Sequence, residues 1–185
     1  MGTAHFWIAR RRSWCIVAAL AAIGTACSTG AMTCVDAVLT SEVRQAVAAE
    51  SGSLGFDPVL PCGTGRGFIM SSVAIDALPG ASSGRRISFI VERNGERAYV
   101  LSETRAAITS SQIPQGTRRL SVPAGPVVAD GFVGASGSGG EMAYLRWRTG
   151  GVTYELDATL GRAVDEADVR QIAGALMLHG ATLGR

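Results

Sequence analysis

Apolar and polar positions alternate with two different periods along the chain. Between residues 34 and 50, apolar side chains fall at Val35, Val38, Leu39, Val43, Ala46 and Val47, one face of a 3.6-residue repeat. This spacing predicts a helix. Thr33 can cap it, or Thr40-Ser41 can restart it, and Gly52 and Gly55 end it. Residues 56–65 hold Asp57, Pro58, Pro61, Gly63 and Gly65 and read as a loop. Phe68–Ala77 then alternates with period two, with Ile69, Val73 and Ile75 on one face, as a strand does.

Two hairpins stand out. Asn94-Gly95 sits between β-rich runs over 86–103, the signature of a two-residue type I′ turn. That turn sets Glu92 against Arg97, Arg93 against Glu96, Ile90 against Tyr99 and Phe89 against Val100. Gly150-Gly151 does the same for 141–158, setting Trp147 against Tyr154, Arg146 against Glu155 and Leu145 against Leu156. Between the hairpins, Arg105–Ile108 reads as a short helical turn. Arg119–Val122 reads as a strand ended by Pro123, Val127–Val133 as another strand, and residues 136–140 as a flexible loop. A final helix spans 166–179. Asp165 and Asp168 form its capping box, Val164 and Val169 its hydrophobic staple, and Gly180 its left-handed cap. The sum is α+β: a largely antiparallel sheet of about five or six strands, with an N-terminal and a C-terminal helix packed on it. Without a long βαβ alternation, a doubly wound nucleotide-binding fold is not expected.

The first 26 residues follow another logic. Arg10-Arg11-Arg12 precedes an apolar run from Cys15 to Ala26, with small residues at its end. These are the three parts of an export signal. The run is shorter than the ~20 residues a membrane-crossing helix needs. Ile23-Gly24-Thr25-Ala26-Cys27 resembles the lipobox of bacterial envelope lipoproteins, in which the cysteine becomes the lipidated N-terminus. The same residues also suit cleavage by an ordinary signal peptidase, which would release a secreted protein. Arg11-Arg12-Ser13-Trp14 also has features of a twin-arginine signal. The expected organisation is a signal peptide over 1–26, a lipid-anchor cysteine and tether over 27–33, and a single α+β domain over 34–185.

Charge and composition reinforce this division. All 17 basic residues are arginine, which suggests a high-GC bacterial coding bias, and the whole chain carries +2. Removing the signal takes three arginines and no acids, leaving 14 Arg against 15 Asp plus Glu, or −1. No positive field remains to attract nucleic acid. The 47% apolar content is ample for one packed core. Cys15 leaves with the signal and Cys27 goes to the anchor. Cys34 and Cys62 remain and read as one disulfide, with two buried thiols as the other reading.

Candidate chemistry is sparse. His179, the one histidine of the mature part, stands at a helix end, where it commonly serves as a dipole partner. No metal-ligand spacing or cofactor fingerprint occurs. Neither a catalytic residue, a metal nor a cofactor is therefore expected. Gly63–Gly67 and Ser136–Gly140 read as loops, and Arg85-Arg86 and Arg118-Arg119 as solvated strand ends with a second reading as phosphate-headgroup contacts.

The segment from Trp147 through Tyr154-Glu155-Leu156 to the 165–176 helix resembles the closing hairpin and helix of small extracytoplasmic domains in lipoproteins and anti-sigma-type membrane proteins. The resemblance implies an address on the outer face of the cell membrane and a structural, noncatalytic role for these residues. The resulting expectation is an exported, lipid-anchored cell-envelope protein. It would act as a non-enzymatic binding or interaction module toward an envelope protein or lipid. The alternatives are a carrier of lipid or another hydrophobic ligand, and an exported hydrolase built on His179.

Overall fold

The computed structural model describes residues 35–63, 67–78, 84–108, 113–137 and 139–183. The segments read as signal and tether, with Cys27 and Cys34, lie outside these residues. The chain forms β1 (Val35–Asp36), β2 (Val38–Leu39), α1 (Ser41–Leu54), β3 (Cys62–Gly63), β4 (Phe68–Ala77), β5 (Arg85–Arg93) and β6 (Glu96–Thr104). There follow β7 (Arg118–Ala124), β8 (Val127–Ala135), β9 (Glu141–Thr149), β10 (Val152–Leu160) and α2 (Glu166–Leu183). The class is α+β. Eight strands, not five or six, form one mixed sheet in the order β2-β4-β5-β6-β10-β9-β8-β7. Only the β2–β4 pairing is parallel. β1 and β3 form a separate two-stranded ribbon.

The additional strands come from segments whose turn residues hide them. Val35 to Leu39 satisfy a helical repeat, yet they form two short strands. The helix begins only at Ser41, where Thr40 accepts a hydrogen bond from Val43 N and acts as the cap. Gly55, at φ +72°, ends the helix in the left-handed conformation. Pro123 does not end β7, because β7 is an edge strand and loses no ladder bond to a proline there. Gly125, at φ +59°, and Pro126 close a third tight hairpin between β7 and β8. Residues 105–108 form bends and coil rather than a helical turn.

The 150–151 hairpin has the expected register throughout: Trp147 opposite Tyr154, Arg146 opposite Glu155, Leu145 opposite Leu156. The 94–95 hairpin keeps it only at the tip. Glu92 faces Arg97 and Arg93 faces Glu96, but Ala98 bulges out of β6. Behind it Tyr99 meets Val91, Val100 meets Ile90, and Leu101 meets Phe89. The bulge turns the adjacent Ala98 and Tyr99 both into the interior, which strict alternation forbids. Tyr99 then donates to Cys62 O at 2.6 Å, fixing the β1–β3 ribbon to the sheet. A second bulge at Ser71 redirects β4, so Phe68 and Met70 face inward while Ile69 is exposed, against the expected face.

Both helices cover one face of the sheet, α1 over β4 and β5 and α2 over β7, β9 and β10. The core between them holds Met70, Ile87, Phe89, Leu101, Leu120, Leu145, Leu156, Ile172, Leu176 and Met177, all fully buried. α2 starts as its sequence demands. Asp168 N donates to Asp165 Oδ1 at 2.8 Å and Asp165 N to Asp168 Oδ2 at 3.3 Å, a reciprocal box. Its end differs: Gly180 lies inside the helix, which continues to Leu183.

The two sheet edges are unequal. At β7, Arg170 of α2 donates to the outward carbonyl of Ser121 at 3.0 Å, and Pro123 removes a donor. At the other edge β2 pairs only with Ile69 and Met70. Beyond them β4 has no strand neighbour on that side among the described residues.

Candidate functional site

The sheet face turned away from the helices carries two parallel cross-strand rows. One runs Arg119, Phe132, Tyr144, Asp157 and Val100 across β7, β8, β9, β10 and β6. The next runs Ser121, Asp130, Arg146, Glu155 and Ser102. The period of two puts these polar and aromatic side chains outward while Ala129, Leu145 and Leu156 between them point to the core.

The connection from β6 to β7 is described at residues 105–108 and 113–117. It leaves β6 at one end of the sheet and enters β7 at the other, and Thr153 of β10 donates to its Ala106 O at 3.2 Å. Its Ile108 and Ile113 come to lie over β7, β8 and β9. A cleft of about 330 Å³ results, lined by Ile108, Ile113, Arg119, Asp130, Gly131, Phe132, Tyr144 and Arg146. Gly131 is dictated by packing. A Cβ there would stand 1.8 Å from Tyr144 O, so only glycine lets β8 and β9 approach this closely at the cleft floor.

Phe132 and Tyr144 stack with ring centroids 5.4 Å apart and planes at 29°. The Arg146 guanidinium carbon lies 5.5 Å from the Tyr144 ring centre. Arg146 donates to Glu155 Oε1 from Nε at 3.0 Å and from Nη2 at 2.6 Å, and the Tyr144 hydroxyl donates to the same oxygen. Burial and this bond to Glu155 hold the Tyr144 phenol above its ordinary range, so it stays a donor at neutral pH. At the mouth, Arg119 pairs with Asp130 at 3.3 Å, and both side chains are more than half exposed. Each cation of the lining thus has a carboxylate within reach.

A second feature escapes the sequence entirely. Glu103 of β6 points inward, fully buried, and its Oε2 accepts from Val59 N at 3.0 Å. Its Oε1 has no hydrogen-bond partner among the described residues. Desolvation raises its pKa to about 8, so the carboxyl is largely protonated at neutral pH. Tyr154, directly opposite on β10, stacks on Trp147 at 5.3 Å with planes only 4° apart. Glu103 ties the 56–61 segment to the sheet centre. The alternation of β6 hides it, because an inward glutamate reads as an outward one until the bulge at Ala98 is known.

The residues singled out from sequence do not converge. Cys27 and Cys34 lie outside the described residues. Cys62 is buried beside β1, where Asp36 pairs with it. His179 lies near the end of α2, on the helix-covered side of the sheet. The arginine pairs are absorbed by acids: Arg85 by Glu50 at 3.2 Å, Arg86 by Asp76 at 3.6 Å, Arg118 by Glu166, and Arg119 by Asp130. The acidic group at 165–168 is spent on the helix cap and on Arg93, Arg118 and Arg170. Among the described residues no three His, Cys, Asp or Glu side chains gather as a metal site, and no helix is long and apolar enough to cross a membrane. No protein-family model, curated protein or solved structure matches the chain.

Proposed function

We propose that this chain is an exported cell-envelope protein, anchored through a lipid on Cys27, that works as a binding module through the outer face of its sheet. The observation that carries the binding role is the cleft over β7–β9. The interior strands β8 and β9 hold Asp130, Phe132, Tyr144 and Arg146 in cross-strand rows, and the edge strand β7 adds Arg119. The address rests on the signal-like first 26 residues and the lipobox-like Ile23–Cys27. The pairing of Cys34 with Cys62 belongs to the same reading. Val35 and Gly63, the residues that follow the two cysteines in sequence, are paired in the β1–β3 ribbon.

Two measurements test it. Mass spectrometry of the native N-terminus is expected to find a lipid-modified Cys27; an unmodified terminus elsewhere removes the anchor. A photo-crosslinker at Phe132 in intact cells is expected to capture an envelope component, and one at the exposed Gln45 of α1 is not. Equal capture at both positions, or none at Phe132, removes the outer face as the binding surface.

A further inference from the structure

We infer that two copies of this chain pair through the outer border of β4, antiparallel about a twofold axis at Ile75, so that one sheet runs through both molecules. Over residues 72–77, β4 has no strand neighbour on its outer side among the described residues. The hydrogen-bond phase of this stretch follows from its end. Leu78 N donates to Gly84 O at 2.8 Å, in register with the pairs from Ser72–Ile90 to Ala77–Arg85. Alternate residues therefore bond to β5, and Val73, Ile75 and Ala77 turn their N–H and C=O groups outward. Edge strands are commonly guarded by proline, lysine or a bulge. Residues 72–77 hold none of the three; the bulge of β4 precedes them at Ser71, and their one charged residue is Asp76.

The stretch is complementary to itself, which points to a second copy as its occupant. Antiparallel pairing of the outward groups about Ile75 sets Ile75 against its own counterpart and Val73 against Ala77, and Asp76 then meets Ala74 rather than another acid. Val73 and Ile75 are only partly buried at the margin of the core, as is Val47 of α1, and the pairing covers all three. The helix α1 fits the same axis. Arg85 of β5 reaches Glu50 and Ser53 on one flank of α1, so the 3.6-residue period turns Arg44, Ala48 and Ser51 toward the open border. Thr40 N donates to Met70 O, and Arg85 stands opposite Ala77, so α1 runs alongside β4 with its Ala48–Ser51 turn level with Ile75. Adjacent strands lie about 4.8 Å apart. Helices seated over β4 and β5 of two copies therefore meet at roughly 8–10 Å, which side chains as small as Ala48 and Ser51 permit. The two helices run antiparallel, so Arg44, a turn back from the axis, stays clear of its counterpart.

The experiment measures the mass of the full-length chain by sedimentation in a mild detergent. A dimer is expected, dissociating at roughly micromolar concentration. Ala48→Arg brings like charges to the axis from an exposed position, and Ala77→Pro removes an outward N–H that β5 does not use. Each should raise the dissociation constant at least about tenfold, with the melting temperature of the dilute protein unchanged. On oxidation in the same detergent, Ala48→Cys should give a disulfide-linked band of twice the mass, and Ala49→Cys, turned to the far flank of α1, should not. A monomer at concentrations up to ~100 μM overturns the inference. So does association that both variants leave unchanged, or linkage through Ala49→Cys equal to that through Ala48→Cys. Linkage of Ala48→Cys to a different protein in an unfractionated detergent extract, in place of a second copy, overturns it as well.

Discussion

At the scale of single residues, the interior is less uniform than its hydropathy suggests. Glu103 is a carboxyl sealed among apolar side chains, with one oxygen bonded to Val59 N and the other without a hydrogen-bond partner among the described residues. Its folded pKa of about 8 lies above the ordinary glutamate value of 4.5. Between those values the folded chain holds a proton that the unfolded chain has released. Stability is therefore fully present below about pH 4.5 and is lost as pH rises toward 8. Glu103→Gln keeps an acceptor for Val59 N and cannot ionise. The melting temperature of wild type should fall relative to this variant as pH is raised through that window. Parallel pH profiles of the two would show that Glu103 does not titrate as described. Gly131 is a constraint of a different kind, since only the absence of a side chain lets the Tyr144 carbonyl sit where it does.

At the scale of elements, local signals succeed where one stretch of chain decides the outcome. The capping box of α2 is such a case. Asp165→Ala should cost about 1 kcal/mol of stability, read from chemical denaturation, while a neutral result would mean that α2 is held by packing alone. The 150–151 hairpin, with its aromatic pair and its Arg146–Glu155 pair, was legible for the same reason: a two-residue turn fixes every later partner. The row that builds half of the cleft was thus visible in part. Its other half was not. Asp130 meets Arg146, and Phe132 meets Tyr144, through β8–β9 pairing across a longer loop, which carries no two-residue register signal. The β6–β7 connection that supplies Ile108 and Ile113 is a long-range placement that periodicity does not encode. The same limit explains the short strands before α1, whose apolar spacing satisfies a helix but whose partners β3 and β4 lie more than 20 residues on. The bulge at Ala98 shows that even a correct turn fixes register only up to the first irregularity.

At the scale of the whole molecule, division of labour between faces is the main theme. One face is spent on the core under two helices, and the other holds fixed side chains toward solvent. The β1–β3 ribbon, fastened by Tyr99 to Cys62 O, links the N-terminal end of this domain to the sheet. The proposed Cys34–Cys62 bridge would close a loop of about 28 residues there. Its removal by the double variant Cys34→Ser/Cys62→Ser should lower stability by ~3–4 kcal/mol, with wild type under reductant losing a similar amount. Identical denaturation midpoints for oxidised and reduced protein would show that no bridge contributes.

The unequal edges of the sheet bear on how copies of this domain meet one another. Strand-to-strand polymerisation requires two receptive borders per molecule, one to join and one to pass the ladder on. Here Arg170 and Pro123 block part of the β7 border, and among the described residues the stretch of β4 beyond Met70 has no strand neighbour on its outer side. A ladder that two copies form through that stretch of β4 uses up the open border of each and so ends at a pair.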